Sequence, residues 1–233
     1  MKFIFYKFKF IKIEFYIFYF INTNKSIKSI KSYKMVQYYK IVILGNKKVD
    51  DKEVVKVWFH PWDHHNGNKL LEHAWFNNKF MYMIEHLISQ EGPFYMSRII
   101  WCGDYADNDE DMKNQYNEPC NLYNACDYKF IKSKFIFPTK IDNSSHRYIV
   151  NHTQKLYVDK EYHNKNEDYN DYDGDTYKIH PLPLLVLDKY KKSGGGDYFG
   201  TNQQLCGSWS RDVISLEKVI PVGFNQLICD FNV

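Results

Sequence analysis

The ten residues Arg98-Ile99-Ile100-Trp101-Cys102-Gly103-Asp104-Tyr105-Ala106-Asp107 constrain this chain more than any other stretch. An apolar run of strand length ending on glycine predicts a buried strand. Gly103 lets the backbone turn, and the turn delivers two carboxylates, Asp104 and Asp107, to the strand's C-terminal end. A polar site is therefore expected at strand ends around Asp104.

Elements of both periods surround this strand. Tyr38–Leu44 and Val54–Phe59 are β-branched and aromatic, with a Gly45-Asn46 turn after the first. Phe80, Ile84, Leu87 and Ile88 recur at helical spacing and predict one main helix at about residues 79–90. His146–Asp159 predicts a β-hairpin around Asn151-His152-Thr153-Gln154, and Val213–Leu216 a further strand. Pro181 and Pro183 demote the apolar Ile179–Leu187 to an edge strand or extended segment. The pattern is α+β: a single domain, mainly antiparallel sheet, with the helix packed on it.

Charge places the domain boundary. Residues 1–34 hold eight lysines against Glu14 alone, and use little but Lys, Phe, Ile, Tyr, Asn and Ser. Of 31 basic and 28 acidic residues, 23 and 27 remain in residues 35–233, a net charge of −4. That body carries no nucleic-acid footprint. Residues 1–34 read as a non-structural extension with Met35 opening the domain, and Phe15–Ile21 is too short for a transmembrane segment. Residues 163–177 are a low-complexity polar loop. Five cysteines without a CxxC pair suit reduced thiols and a cytoplasmic location.

Gly103-Asp104-x-x-Asp107 resembles the GDxxD segment of metallophosphoesterases, in which a carboxylate bridges two metal ions. Asp63-x-His65 stands where that family has its DxH, and Asn151-His152 where it has an Asn-His pair. The resemblance implies a metal-dependent hydrolase with Asp63, His65, Asp104 and Asp107 as metal ligands and a divalent metal as cofactor. Three departures count against it. Pro61 separates Asp63 from its strand, Asn151 lacks a preceding glycine, and no late Gly-His-x-His follows. The histidine island His60, His64, His65 and His73 has no HExxH spacing and reads better as a polar loop packed by Trp58, Trp62 and Trp75. The acidic run from Asp171 fails as an EF-hand, since Thr176 and Leu182 occupy its glycine and carboxylate positions.

Only three arginines, Arg98, Arg147 and Arg211, stand against 28 lysines, which suggests positions that require a planar bidentate fork. Arg147 reads as a structural ion pair. Arg98 and Arg211 join Asp104, Asp107 and Trp62 as candidate ligand-binding residues. The first expectation is thus a ligand- or partner-binding module, and the alternative is the hydrolase.

Arg98–Asp107, His146–Lys160, His180–Leu185, Gly194–Gly200 and Gly207–Ser215 together resemble a family of small single-domain proteins from bacteria, phages and protists with no known activity. The resemblance covers most of residues 37–230. It implies one domain starting near Met35, makes 163–177 an insertion, and transfers no catalytic residue.

Overall fold

β5 (Ser97–Gly103) is the strand expected from the opening motif, and Ile99, Ile100, Trp101 and Cys102 are all completely buried. The computed structural model describes residues 6–10, 13–17, 37–46, 49, 52–130, 132, 146–164, 169–170, 176–188 and 198–231. The chain divides into two compact units, Met1–Lys34 and Met35–Val233. In the first, β1 (Tyr6–Phe10) and β2 (Ile13–Ile17) form an antiparallel pair.

The second unit begins with β3 (Tyr39–Leu44) and β4 (Val55–Phe59), then α1 (Leu70–His73), α2 (Lys79–Ile88) and β5. The small pair β6 (Asp109–Lys113) and β7 (Pro119–Cys120) leads into α3 (Leu122–Lys129). There follow β8 (Tyr148–Asn151), β9 (Leu156–Asp159), α4 (Lys160–Asn164), the short pair β10 (Tyr169–Asn170) and β11 (Thr176–Tyr177), and α5 (Pro181–Leu185). β12 (Val213–Glu217) and β13 (Asn225–Gln226) complete it. Among the described residues the main sheet has seven strands in the order β13-β9-β8-β12-β5-β3-β4, antiparallel except for β13 beside β9. This is the α+β, mainly antiparallel architecture that the periodicities predict.

Side chains alternate across the pleat, so β3, β4 and β5 feed two cores. Tyr39, Ile41, Ile43, Phe59, Ile99 and Trp101 face α2, which contributes Phe80, Ile84, Leu87 and Ile88. Val42, Leu44, Trp58, Ile100 and Cys102 face the β6–β7 pair and α3, through Met112, Cys120, Leu122, Ala125 and Cys126. Burial on both faces explains why the central strands read as continuous apolar runs.

Local chemistry sets the helix bounds. The Asn78 side chain accepts from the N–H groups of Phe80 and Met81, at 2.8 and 3.4 Å, and so caps α2. The helix stops at Ile88, where Ser89 Oγ donates to the carbonyl of His86 at 2.8 Å. Ile179–Leu187 departs from the extended segment expected of it. Pro181 and Pro183 lie in the first turn of α5, where backbone N–H groups have no intrahelical partner to lose, and His180 Nδ1 caps the turn by accepting from Leu182 N at 3.2 Å.

β5 changes partner along one flank. β3 covers its other flank throughout, from Leu44 opposite Arg98 to Tyr39 opposite Gly103. β12 pairs only with Ser97 and Arg98. Beyond it, Arg211 N donates to Ile99 O at 3.2 Å, Trp101 N to Val186 O at 2.9 Å, and Asp188 N to Trp101 O at 2.7 Å. No helix among the described residues is long and apolar enough to cross a membrane.

Candidate functional site

At the C-terminal end of β5 the antiparallel ladder is finished by a side chain. Asp104 N donates to Tyr38 O, and Tyr38 N donates to Asp104 Oδ1, each at 3.0 Å. The approach is close because a Cβ on Gly103 would lie 1.9 Å from Gln37 Nε2. The Asn121 amide holds the turn by donating to the carbonyls of Asp104 and Ala106, at 3.0 and 3.1 Å. Asp104 is half-buried, and among the described residues no cation lies within ion-pair distance of it. Burial raises its pKa above the usual aspartate range, opposed by the backbone N–H groups of Tyr38, Asp104 and Tyr105 and more weakly by the Lys40 charge. Tyr38 and Tyr105 flank it with 44% and 40% of their surfaces exposed. Burial and then the Asp104 charge push the Tyr105 hydroxyl upward, and the same two causes act on Tyr123.

Lys40 lies one strand in from this end, 2% exposed, and its ammonium is fully engaged. Nζ donates to Asp127 Oδ1 at 2.7 Å and to Tyr123 O at 2.9 Å, and sits 3.8 Å from the centre of the Tyr123 ring and 4.9 Å from that of Trp58. Phe59 pairs with Ile41, so the Pro61–His64 turn projects from this same end of the sheet. Trp62 is 70% exposed there. Asp63 pairs with Lys132 at 2.6 Å, and His65 takes a left-handed backbone conformation, with φ 59°.

Arg98 and Arg211 occupy a different place from Asp104. Arg98 begins β5 and Asp104 follows its end, a separation of about 20 Å at the strand rise. The two arginines meet each other instead. Arg98 holds Glu53 bidentately at 2.7 and 2.9 Å, and its Nε donates to the carbonyl of Arg211 at 2.8 Å. Arg211 Nη2 reaches Asp109 at 2.8 Å and Asp188 at 3.7 Å, and Nη1 reaches Glu53 at 3.4 Å. Arg147 is the structural pair it was expected to be, with Nε donating to Asp159 Oδ1 at 2.7 Å.

The phosphoesterase constellation does not assemble. Asn151 pairs with Ile214, which pairs with Ser97, so Asn151-His152 lies at the arginine end of the sheet and not beside Asp104. Both residues are committed. Asn151 Nδ2 donates to Asp212 Oδ2 at 2.8 Å, while its side-chain Oδ1 caps the hairpin turn by accepting from Thr153 N and Gln154 N, each at 2.9 Å. His152 Nε2 lies 2.7 Å from Ser215 Oγ, which donates to Glu217 Oε1 at 2.6 Å. Asp63, His65, Asp104 and Asp107 form no metal-holding group. Among the described residues no three His, Cys, Asp or Glu side chains are arranged to hold an ion. His73, in the histidine island, is a core residue: Nδ1 donates to Gly67 O and Nε2 accepts from Trp101 Nε1, both at 3.0 Å.

Sequence reasoning passed over Tyr38, Glu53 and Glu85. Glu85 is 1% exposed, with Oε1 2.8 Å from His180 Nε2 and 2.5 Å from Lys160 Nζ. Burial alone would raise its pKa, but His180 and Lys160 hold it at about 2. Its signal was available, because Glu85 shares a helix face with Met81 and Ile88. Tyr38 and Glu53 precede their strands, and only the register of the sheet brings them to these positions. No protein-family model, no curated protein and no solved structure matches this chain.

Proposed function

We propose that the chain is a binding module whose ligand seats against Asp104 at the C-terminal end of β5. One observation carries this reading: a half-buried carboxylate with no counter-ion among the described residues, set between two exposed tyrosines. Turn capping alone needs only a neutral acceptor at this position, so the charge is left for something else. The exposed Trp62 on the neighbouring turn offers apolar surface at the same end of the sheet. A cytoplasmic setting accords with the five cysteines, all buried and none in a disulfide.

Asp104→Asn separates capping from charge, because asparagine keeps the oxygen that accepts from Tyr38. A carboxyl group whose pKa rises on folding contributes stability in acid, and that contribution is lost as pH rises through its folded value. The variant is therefore expected to melt no lower than the parent at pH 7, and to show a smaller rise on moving toward pH 4. A melting temperature lowered by several degrees at pH 7 would make the carboxylate structural. Amide spectra recorded against a panel of small ligands should place the binding shifts on Tyr38, Asp104 and Tyr105; shifts confined to other regions contradict the assignment.

A further inference from the structure

The chemistry already installed at this end of the sheet says what kind of group would suit Asp104. Lys40 is an ammonium held between aromatic faces and a carboxylate: Tyr123 at 3.8 Å, Trp58 at 4.9 Å, and Asp127 at 2.7 Å. Lys132 repeats the arrangement beside it, 5.3 Å from the centre of the Trp58 ring and paired with Asp63 at 2.6 Å. Asp127 and Asp63 thus each have a lysine, and each lysine lies over an aromatic ring. Asp104 is a third carboxylate at the same end, also flanked by aromatic residues, but among the described residues it has no lysine. Asp127 and Asp63 are each paired with a lysine, whereas the Asp104 carboxylate keeps a negative charge that no lysine among the described residues pairs. An anionic ligand would add to it. A cation could instead meet the carboxylate together with aromatic surface, because Tyr38, whose N–H Asp104 accepts, and the adjacent Tyr105 are both exposed.

Resting on the reading that Asp104 marks the binding site, we propose that its ligand presents an alkylammonium group, seated between Tyr38 and Tyr105 with its charge against the Asp104 carboxylate. The recognised chemistry is the same whether the group is a primary ammonium, as on a lysine side chain, or a quaternary ammonium, as on a choline-type headgroup. Ring faces favour the weakly hydrated quaternary form, and a carboxylate with a free lone pair favours an N–H donor.

The test uses the full chain and three probes: choline, n-butylammonium, and 3,3-dimethylbutan-1-ol, the uncharged carbon isostere of choline. Titrations followed by amide and tyrosine ring shifts are expected to place at least one of the two cations on Tyr38, Asp104 and Tyr105, with the isostere binding at least tenfold more weakly. The stronger cation identifies the source. Asp104→Asn should weaken that cation at least tenfold and Tyr105→Leu about fivefold. The comparison of cation with isostere needs no variant, so it stands even if a substitution disturbs folding. Equal binding of isostere and cation at these residues overturns the charge recognition while leaving the site in place, as does another ligand class shifting them when neither cation does. If nothing tested shifts Tyr38, Asp104 or Tyr105, both the ammonium inference and the site are overturned.

Discussion

At the scale of single residues, the molecule repeatedly places titratable groups where folding alters their chemistry. His73 is the clearest instance. Burial, opposed by its hydrogen bond to Gly67, lowers its pKa to about 4. The folded state holds the ring neutral, so this contribution to stability is complete above the ordinary histidine value and is lost as pH falls from about 6.5 toward 4. At pH 5 the loss amounts to about 2 kcal/mol. Urea unfolding at pH 7 and pH 5 should show it, and His73→Gln should be less stable at pH 7 but less sensitive to the change. Nothing in the sequence distinguishes His73 from His64 or His65 as a core residue. Its role depends on Trp101 arriving from β5, a contact between positions 28 apart. The position of Asp104 at the end of a buried strand, by contrast, was legible from its place after an apolar run and a glycine. Its tyrosine neighbour at position 38 was not, because only strand pairing brings it there.

At the scale of elements, local patterns proved informative wherever one force dominates. The apolar stripe of α2, the turn between β8 and β9, and the buried run of β5 are legible because burial decides them. α5 is not, because proline excludes helix interiors yet suits a first turn, and residue type alone does not reveal position. β6 was equally obscure: its sequence Asp-Glu-Asp-Met-Lys has little strand propensity, and it pairs with β7 above the sheet, with Met112 buried beneath it. Two substitutions probe what holds these elements in place. Glu53 is 3% exposed at its side chain and is shared by Arg98 and Arg211, so Glu53→Gln should cost about 3–5 kcal/mol by chemical denaturation. The end of α2 depends on Gly92, where a Cβ would stand 2.0 Å from the carbonyl oxygen of His86 and 2.4 Å from that of Leu87. Both atoms are backbone and cannot swing aside. Gly92→Ala should therefore destabilise by at least about 2 kcal/mol in the same measurement.

At the scale of the whole molecule, the sheet joins distant parts of the chain. β5 bonds on one side to β3, which precedes it by about sixty residues, and on the other to β12, where Arg98 pairs with Val213 more than a hundred residues later. Loop closure on this scale must precede the contacts that offset it. Refolding of the Met35–Val233 unit should accordingly run in milliseconds to seconds, not microseconds, as stopped-flow fluorescence can establish. Both cores share β3, β4 and β5, so fluorescence and far-UV circular dichroism should report one rate. The composition of the chain suggests none of this; it follows from strand order, which short patterns do not encode.

The bond from Trp101 to His73 also equips the protein with a built-in gauge. The Trp101 indole N–H points at a ring nitrogen in a fully buried setting, at the strand to which both cores attach. Its proton can exchange with deuterium only when that interior opens. Of the five indole protons in the chain, this one should be the slowest to fade in heavy water. A single resonance then timestamps the opening of the molecule's centre, with no label attached.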